Sequence, residues 1–138
     1  MKILSCGAGQ QSTALALMSC DNVLHPNKFP LVPVYDAILF CDLGGERKWV
    51  YDQVWFIGEI CKEVGIPFYV LSDKNLKDDY ISNFGKNRVV TIPFWSIDEN
   101  GKKGKMTRHC TIDYKIVQMQ NFVRWNLLGY RKGERTKP

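Results

Sequence analysis

A glycine-bearing turn, Gly7-Ala8-Gly9, stands between a short apolar start, Met1 to Leu4, and an apolar helical stretch, Ala14 to Met18. This feature constrains the fold more than any other. A strand, a glycine turn and a helix start in that order form a cradle for an anion. Glycines let backbone approach the anion closely, and the helix start offers unpaired N–H groups at the positive end of its dipole. Ser12 and Thr13 place hydroxyl donors at the same spot. The plain alternative is a strand-to-helix turn that binds nothing.

The elements that follow extend the pattern. Lys2 to Cys6 reads as the first strand and Ser12 to Cys20 as the first helix, with Ser12 or a neighbour at its cap. Asp21 to Tyr35 holds three prolines and reads as a loop, with a short extended piece at Leu31 to Val34. Ala37-Ile38-Leu39-Phe40-Cys41 is apolar without alternation, which predicts a strand buried on both faces. Val50, Val54, Ile57, Cys61 and Val64 form one helical stripe over Lys48 to Val64, stopped by Gly65. Phe68 to Leu71 reads as a third strand. Alternating strand and helix imply parallel strands and a layered α/β fold, with ligands beyond the strands' carboxyl ends.

The second half is less regular. Residues 73 to 88 are polar and read as a mobile excursion. Val89 to Trp95 reads as extended, and Asp98-Glu99-Asn100-Gly101 is a turn signal beside the basic patch Lys102 to Lys105. A last helix is expected over Thr111 to Leu128, with Ile112, Ile116, Met119, Val123 and Leu127 on its buried face. Residues 1–129 read as a single α/β domain, and 130–138 as a basic C-terminal tail.

Composition narrows the function classes. No run approaches the roughly 20 apolar residues of a membrane span, and the first residues do not read as a signal peptide, so a cytoplasmic protein is expected. Five cysteines, an odd number with no close pair, suit reduced thiols better than a disulfide framework. Charge is uneven. Residues 1–70 hold five Lys/Arg against seven Asp/Glu, a net of −2, whereas residues 71–138 hold fourteen against seven, a net of +7. A basic second half suits an anionic partner, nucleotide or nucleic acid, although a solvated basic face accounts for any single lysine.

The turn lacks the Gly-Lys-Ser/Thr ending of the Walker loop and the spacing of the dinucleotide fingerprint. Gly7-Ala8-Gly9-Gln10-Gln11-Ser12 instead resembles the pyrophosphate-binding loop of the PP-loop ATP pyrophosphatase superfamily, written Ser-Gly-Gly-x-Asp-Ser. With Ser5 and Thr13 it is similar to the Ser-x-Gly-x-Gly-x-x-Ser-Thr form of the phosphoadenosine-phosphosulfate reductase-like branch. Gln11 stands where that pattern has an acid.

Two further segments resemble the same branch. Phe40-Cys41-Asp42-Leu43-Gly44, followed by Glu46 and Trp49-Val50-Tyr51, is similar to its Asp-Thr-Gly strand end, with Leu43 in place of threonine. Arg108-His109-Cys110-Thr111, followed by Lys115, resembles its Arg-x-Cys-(Cys/Thr)-x-x-x-Lys segment.

The resemblance implies a three-layer, Rossmann-like parallel sheet of the adenine nucleotide alpha hydrolase type. It implies ATP or a related adenine nucleotide held by Ser5, Gly7, Ala8, Gly9, Gln10, Gln11, Ser12, Thr13, Phe40, Asp42 and Gly44. Asp42 would be the Mg²⁺ ligand. Asp42, Arg108, Cys110 and Lys115 would be the catalytic set, with Arg108 and Lys115 on an anionic acceptor and Cys110 as a nucleophile. No iron–sulfur cluster is expected, because Thr111 replaces the second of two tandem cysteines and no cysteine follows Cys110. The reactive cysteine near the C-terminus of the cluster-free reductases has no counterpart either.

Three readings compete. One is an enzyme that cleaves ATP between its α- and β-phosphates and adenylates an acceptor. Another is a non-catalytic module that binds or sequesters the nucleotide. The last is a subunit of a nucleic-acid-modifying system, with Trp95, Tyr114, Trp125 and Tyr130 interleaved among basic residues. A homo-oligomer or a partner subunit is compatible with each, and a membrane is not expected.

Overall fold

Five consecutive residues with no exposed side chain, Ala37–Cys41, form the middle strand β2 of the first part of the chain. The computed structural model describes residues 1–73, 76–83, 95–105, 111–131 and 133–134. It divides into two compact units, Met1–Asp42 with Glu46–Ser72, and Leu43–Gly45 with Asp73–Pro138.

In the first unit β2 pairs in parallel with β1 (Ile3–Ser5) on one side and β3 (Phe68–Leu71) on the other, giving the order β1-β2-β3. Parallel neighbours need crossovers, and two helices supply them. These are α1 (Gln10–Leu24) and α2 (Lys48–Glu63). Both cover one face of the sheet. Ile38 shares one buried cluster with Ala16 and Cys20 of α1 and Ile57 and Cys61 of α2, and Phe40 shares a second with Val50 and Val54. Ala37, Leu39 and Cys41 alternate to the other face and are also buried. The α/β class and all three expected strands are therefore present. Gly65, at φ +79°, ends α2, and the next N–H, of Ile66, returns to the Cys61 carbonyl at 2.9 Å.

Two local readings are corrected here. The first helix begins at Gln10 rather than Ser12 and runs on to Leu24. It is carried through Asp21–Leu24 by Asn22, whose side chain holds the following loop by donating to the Phe29 and Val32 carbonyls and accepting from the Phe29 N–H. That loop contains no strand at Leu31–Val34. Cys6, Cys20, Cys41 and Cys61 are buried and form no disulfide. The Cys20 and Cys61 sulfurs lie 3.6 Å apart, and the hydrogen bond with Cys20, together with burial, pushes the Cys61 thiol well up.

The second unit contains α3 (Leu76–Asn83), a hairpin of β4 (Trp95–Ile97) and β5 (Lys103–Lys105), and a helical run with α4 (Val117–Phe122) at its centre. The helix α3 replaces the expected excursion over part of 73–88. Asp78 and Asp79 in its first turn complement the dipole, so a polar segment can still be helical. The hairpin turn follows the Asp98–Gly101 signal. The Asp98 carboxylate accepts from the N–H groups of Asn100 and Lys102, and Gly101 takes φ +78°. The expected extended segment at 89–94 lies outside the described residues.

Wide π-turns, Thr111–Ile116 and Val123–Leu127, flank α4. They put the apolar pattern out of phase, because a turn closed by i→i+5 bonds advances differently from one of 3.6 residues. Tyr114 and Gln118 are buried, whereas the expected Ile116 is exposed and Met119, Val123 and Leu127 are half-buried. Tyr114 can be buried because its hydroxyl donates to Asp79 at 2.7 Å. Gly129 ends the run at φ +70°. Among the described residues no helix is long and apolar enough to cross a membrane.

Ile57 has no exposed surface and joins α2 to β2. Ile57→Ala is expected to lower unfolding stability by about 2–5 kcal/mol, read as a fall in the urea midpoint at unchanged slope.

Candidate functional site

The chain leaves β1 at Ser5 and is still pinned to the sheet at Cys6, whose N–H donates to the Leu39 carbonyl at 2.8 Å. It then turns through Gly7, Ala8 and Gly9 into α1. The residue in the left-handed region is Ala8, at φ +54°, and neither glycine has a positive φ. A side chain there costs about 1–2 kcal/mol. Packing holds it, since the Ala8 methyl is buried among Phe40, Val50 and Val54.

The two glycines serve a different purpose. A Cβ placed on Gly7 or Gly9 meets nothing within 4 Å. Neither backbone geometry nor internal packing therefore asks for glycine at these positions. What the missing side chains leave is an open hollow of about 420 Å³, lined by Gly7, Gly9, Gln10, Gln11 and Ser12.

Gly9 is the N-cap of α1, and no side chain caps the helix. The helical ladder starts with the Thr13 N–H on the Gly9 carbonyl at 3.0 Å. The N–H groups of Gln10, Gln11 and Ser12 precede it and have no acceptor among the described residues. Three donors, the positive end of a 15-residue helix and an open hollow coincide.

The hydroxyls do not act as the sequence suggests. Ser12 Oγ donates back to the Gly9 carbonyl at 3.1 Å. Thr13 is buried, and its Oγ1 accepts from Gln53 Nε2 at 3.2 Å, which ties α1 to α2. Gln53 is a supporting residue that sequence reasoning missed, because a lone polar side chain beside an apolar stripe carries no signal. Phe40, expected to contact the nucleotide, is buried beneath Ala8 and supports the turn from below. Ser5 is exposed at the end of β1, and Gln10 and Gln11 are exposed at the hollow.

Asp42 follows β2 at the same carboxyl edge of the sheet from which the Gly7 turn leaves β1. Its N–H donates to the Leu71 carbonyl at 2.8 Å, and its Oδ1 accepts from the Tyr51 hydroxyl at 2.9 Å. That hydrogen bond raises the Tyr51 pKa, because ionising the phenol would face it with a carboxylate. No group of three or more His, Cys, Asp or Glu side chains that could hold a metal occurs among the described residues. A single carboxylate nevertheless suits Mg²⁺, which commonly takes one or two carboxylates and completes its shell with phosphate oxygens and water.

The remaining expected site residues lie in the second unit. Gly44 has φ +76° in the Leu43–Gly45 segment. Lys115 is half-buried on the helical run. Arg108 and Cys110 lie outside the described residues. Of the aromatics expected to interleave with basic residues, Tyr114 is buried against Asp79, while Trp125 is partly exposed. Comparison with protein-family models, curated proteins and solved structures finds no match to this chain.

The Tyr51–Asp42 bond has a pH signature. Tyr51 is expected to titrate above the free phenol value of about 10, read as the phenolate absorbance lost in Tyr51→Phe, and Asp42→Asn should bring it back. A raised folded pKa means that the bond's stabilisation is fully present below about pH 10 and is lost as pH rises through the folded value.

Proposed function

We propose that this chain binds the phosphate tail of an adenine nucleotide at the Gly7–Ser12 hollow, as a PP-loop protein. The observation that carries this reading is a cradle with nothing of its own to fill it. Two glycines that neither strain nor packing requires border a hollow onto which three unpaired helix N–H groups open. The strained Ala8 adds weight, since backbone strain clusters where a binding geometry must be held. The sheet order supports the finer fold reading. The order β1-β2-β3, with a helix in each crossover, is the arrangement of one half of a Rossmann-like sheet, in which phosphates sit at the turn after the first strand.

In this reading the N–H groups of Gln10, Gln11 and Ser12 receive the β- and γ-phosphates of ATP. Asp42, oriented by the Tyr51 hydroxyl, would hold Mg²⁺, which would supply positive charge to the phosphate tail. An acceptor oxygen attacks the α-phosphorus, the α–β bridging bond breaks, and pyrophosphate leaves with the electron pair. The protein contributes alignment and charge neutralisation. Assignment of Arg108, Cys110 and Lys115 to the acceptor rests on the resemblance of their segment alone. The cytoplasmic placement and the partners named from the sequence belong to this proposal in the same way.

One observation favours a second reading. Gln11 borders the hollow with a neutral side chain where the PP-loop pattern has an acid. A cradle short of one carboxylate binds a nucleotide more readily than it turns one over, which suits a non-catalytic binding module.

Calorimetry with ATP and Mg²⁺ tests the shared core. Gly9 has an ordinary φ of −83° and room for a Cβ, so Gly9→Val should fold, with an unchanged circular dichroism spectrum, while filling the hollow. Its ATP affinity should fall by at least about tenfold, or 1.4 kcal/mol. ATP binding that is absent in the natural sequence, or undiminished in the variant, removes the proposal. Pyrophosphate release then separates the enzyme from the binding module.

A further inference from the structure

Two thiols meet inside the first unit at a place the nucleotide reading does not use. Cys20 lies in α1 and Cys61 in the last turn of α2, 41 positions apart in the chain. Their sulfurs stand 3.6 Å apart. Both are buried in one apolar cluster with Ala16, Ile38, Ile57 and Ile66. A cysteine is a serviceable core filler, but two thiols in contact across a pair of helices are also a redox couple.

A disulfide needs its sulfurs about 2.05 Å apart, so the pair has to close by about 1.5 Å. The end of α2 can supply that movement. The Val64 N–H reaches the Ile60 carbonyl and the Gly65 N–H the Lys62 carbonyl at 3.3 Å each, beyond the usual range of about 2.7–3.2 Å. An oxidant also has a way in. An open hollow of about 400 Å³ lies at this helix end, lined by Gly58, Lys62, Gly65, Ile66, Pro67 and Phe68. Ile66 is both a wall of that hollow and a member of the thiol cluster, so the hollow borders the cluster that holds both sulfurs. The contact also activates one partner. A hydrogen bond from Cys61 pulls the Cys20 thiol below its usual range and favours the thiolate, the form that attacks a peroxide.

We propose that Cys20 and Cys61 are a redox-sensitive pair that closes to a reversible disulfide in reaction with hydrogen peroxide, tying α1 to α2. The Cys20 sulfur attacks one peroxide oxygen and the O–O bond breaks. The departing hydroxide takes up the proton that Cys20 has given up and leaves as water. The Cys61 sulfur then attacks the sulfur of the Cys20 sulfenic acid. The S–S bond forms, the S–O bond breaks, and a second water leaves with the Cys61 proton. The two thiols lose two electrons and two protons in all, and the peroxide becomes two waters. Cys6 belongs to the same cluster, but its N–H pins it to the Leu39 carbonyl beside β1, and the sulfur in contact with Cys61 is that of Cys20. Neither Cys20 nor Cys61 lines the Gly7–Ser12 hollow, so the pair stands or falls independently of nucleotide binding.

The test treats the full chain, folded, with a few equivalents of hydrogen peroxide and then counts thiols in denaturant. The count should fall from five to three, and dithiothreitol should restore five. Digestion at Leu15 or Leu17 separates Cys6 from Cys20, and peptide mapping should then find Cys20 joined to Cys61 with the loss of two hydrogens. The bridged chain should keep its circular dichroism spectrum and unfold at a higher urea concentration, because the cross-link restricts the unfolded chain. Cys61→Ala should leave Cys20 without an intramolecular bridge. If that variant does not fold, the mapping of the natural sequence decides alone. Five thiols that survive the treatment, a bridge between other cysteines, oxidation that dithiothreitol does not reverse, a bridge that forms only in denaturant, or a urea midpoint that fails to rise would overturn the proposal.

Discussion

The double-sided burial of Ala37–Cys41 is the constraint from which the first unit follows. A strand buried on both faces suits the middle of a sheet, and this one has a neighbour on each side. Its neighbours are parallel to it, so each connection must cross a face of the sheet, and the chain supplies a helix for each crossing. Ile38 and Phe40 fill the space under those helices. The geometry leaves the turn after β1 and the residue after β2 at one carboxyl edge, which is why Gly7–Ser12 and Asp42 belong to the same region of the molecule.

At that edge the division of labour among three small residues is specific. Ala8 takes the left-handed backbone that glycine would adopt without strain, and its methyl anchors the turn to Phe40, Val50 and Val54. Gly7 and Gly9 keep ordinary backbone angles and contribute empty space. Strain is held by packing from below, and openness is kept above. Thr13 and Gln53 brace the start of α1 against α2, so the donors of the first turn stand on a supported helix.

The helix α2 joins the two themes of the protein. Its inner side closes the core and braces the turn through Val50, Val54 and Gln53, and its N-terminal half orients Asp42 through Tyr51. Its outer side exposes Trp49, Trp55 and Phe56.

Local patterning was enough to place β1, β2, β3 and α2, because an apolar run or a 3.6-residue stripe is set by which side chains must leave water, and that is a property of neighbours in the chain. The glycine turn between strand and helix was legible for the same reason. The helix α3 and the buried pair Tyr114 and Gln118 were not. The helix α3 is polar, and the flanking π-turns shift the phase on which a stripe is read. The site shows the same division. Its location could be read from residue order, but the roles of its members could not. Which of Gly7, Ala8 and Gly9 bears the positive φ, whether Thr13 faces the hollow, and whether Phe40 touches a ligand or supports the turn depend on contacts with β2 and α2, 32 to 46 residues away in the chain. Side-chain direction is settled by packing between distant segments, and no local window of residues contains that information.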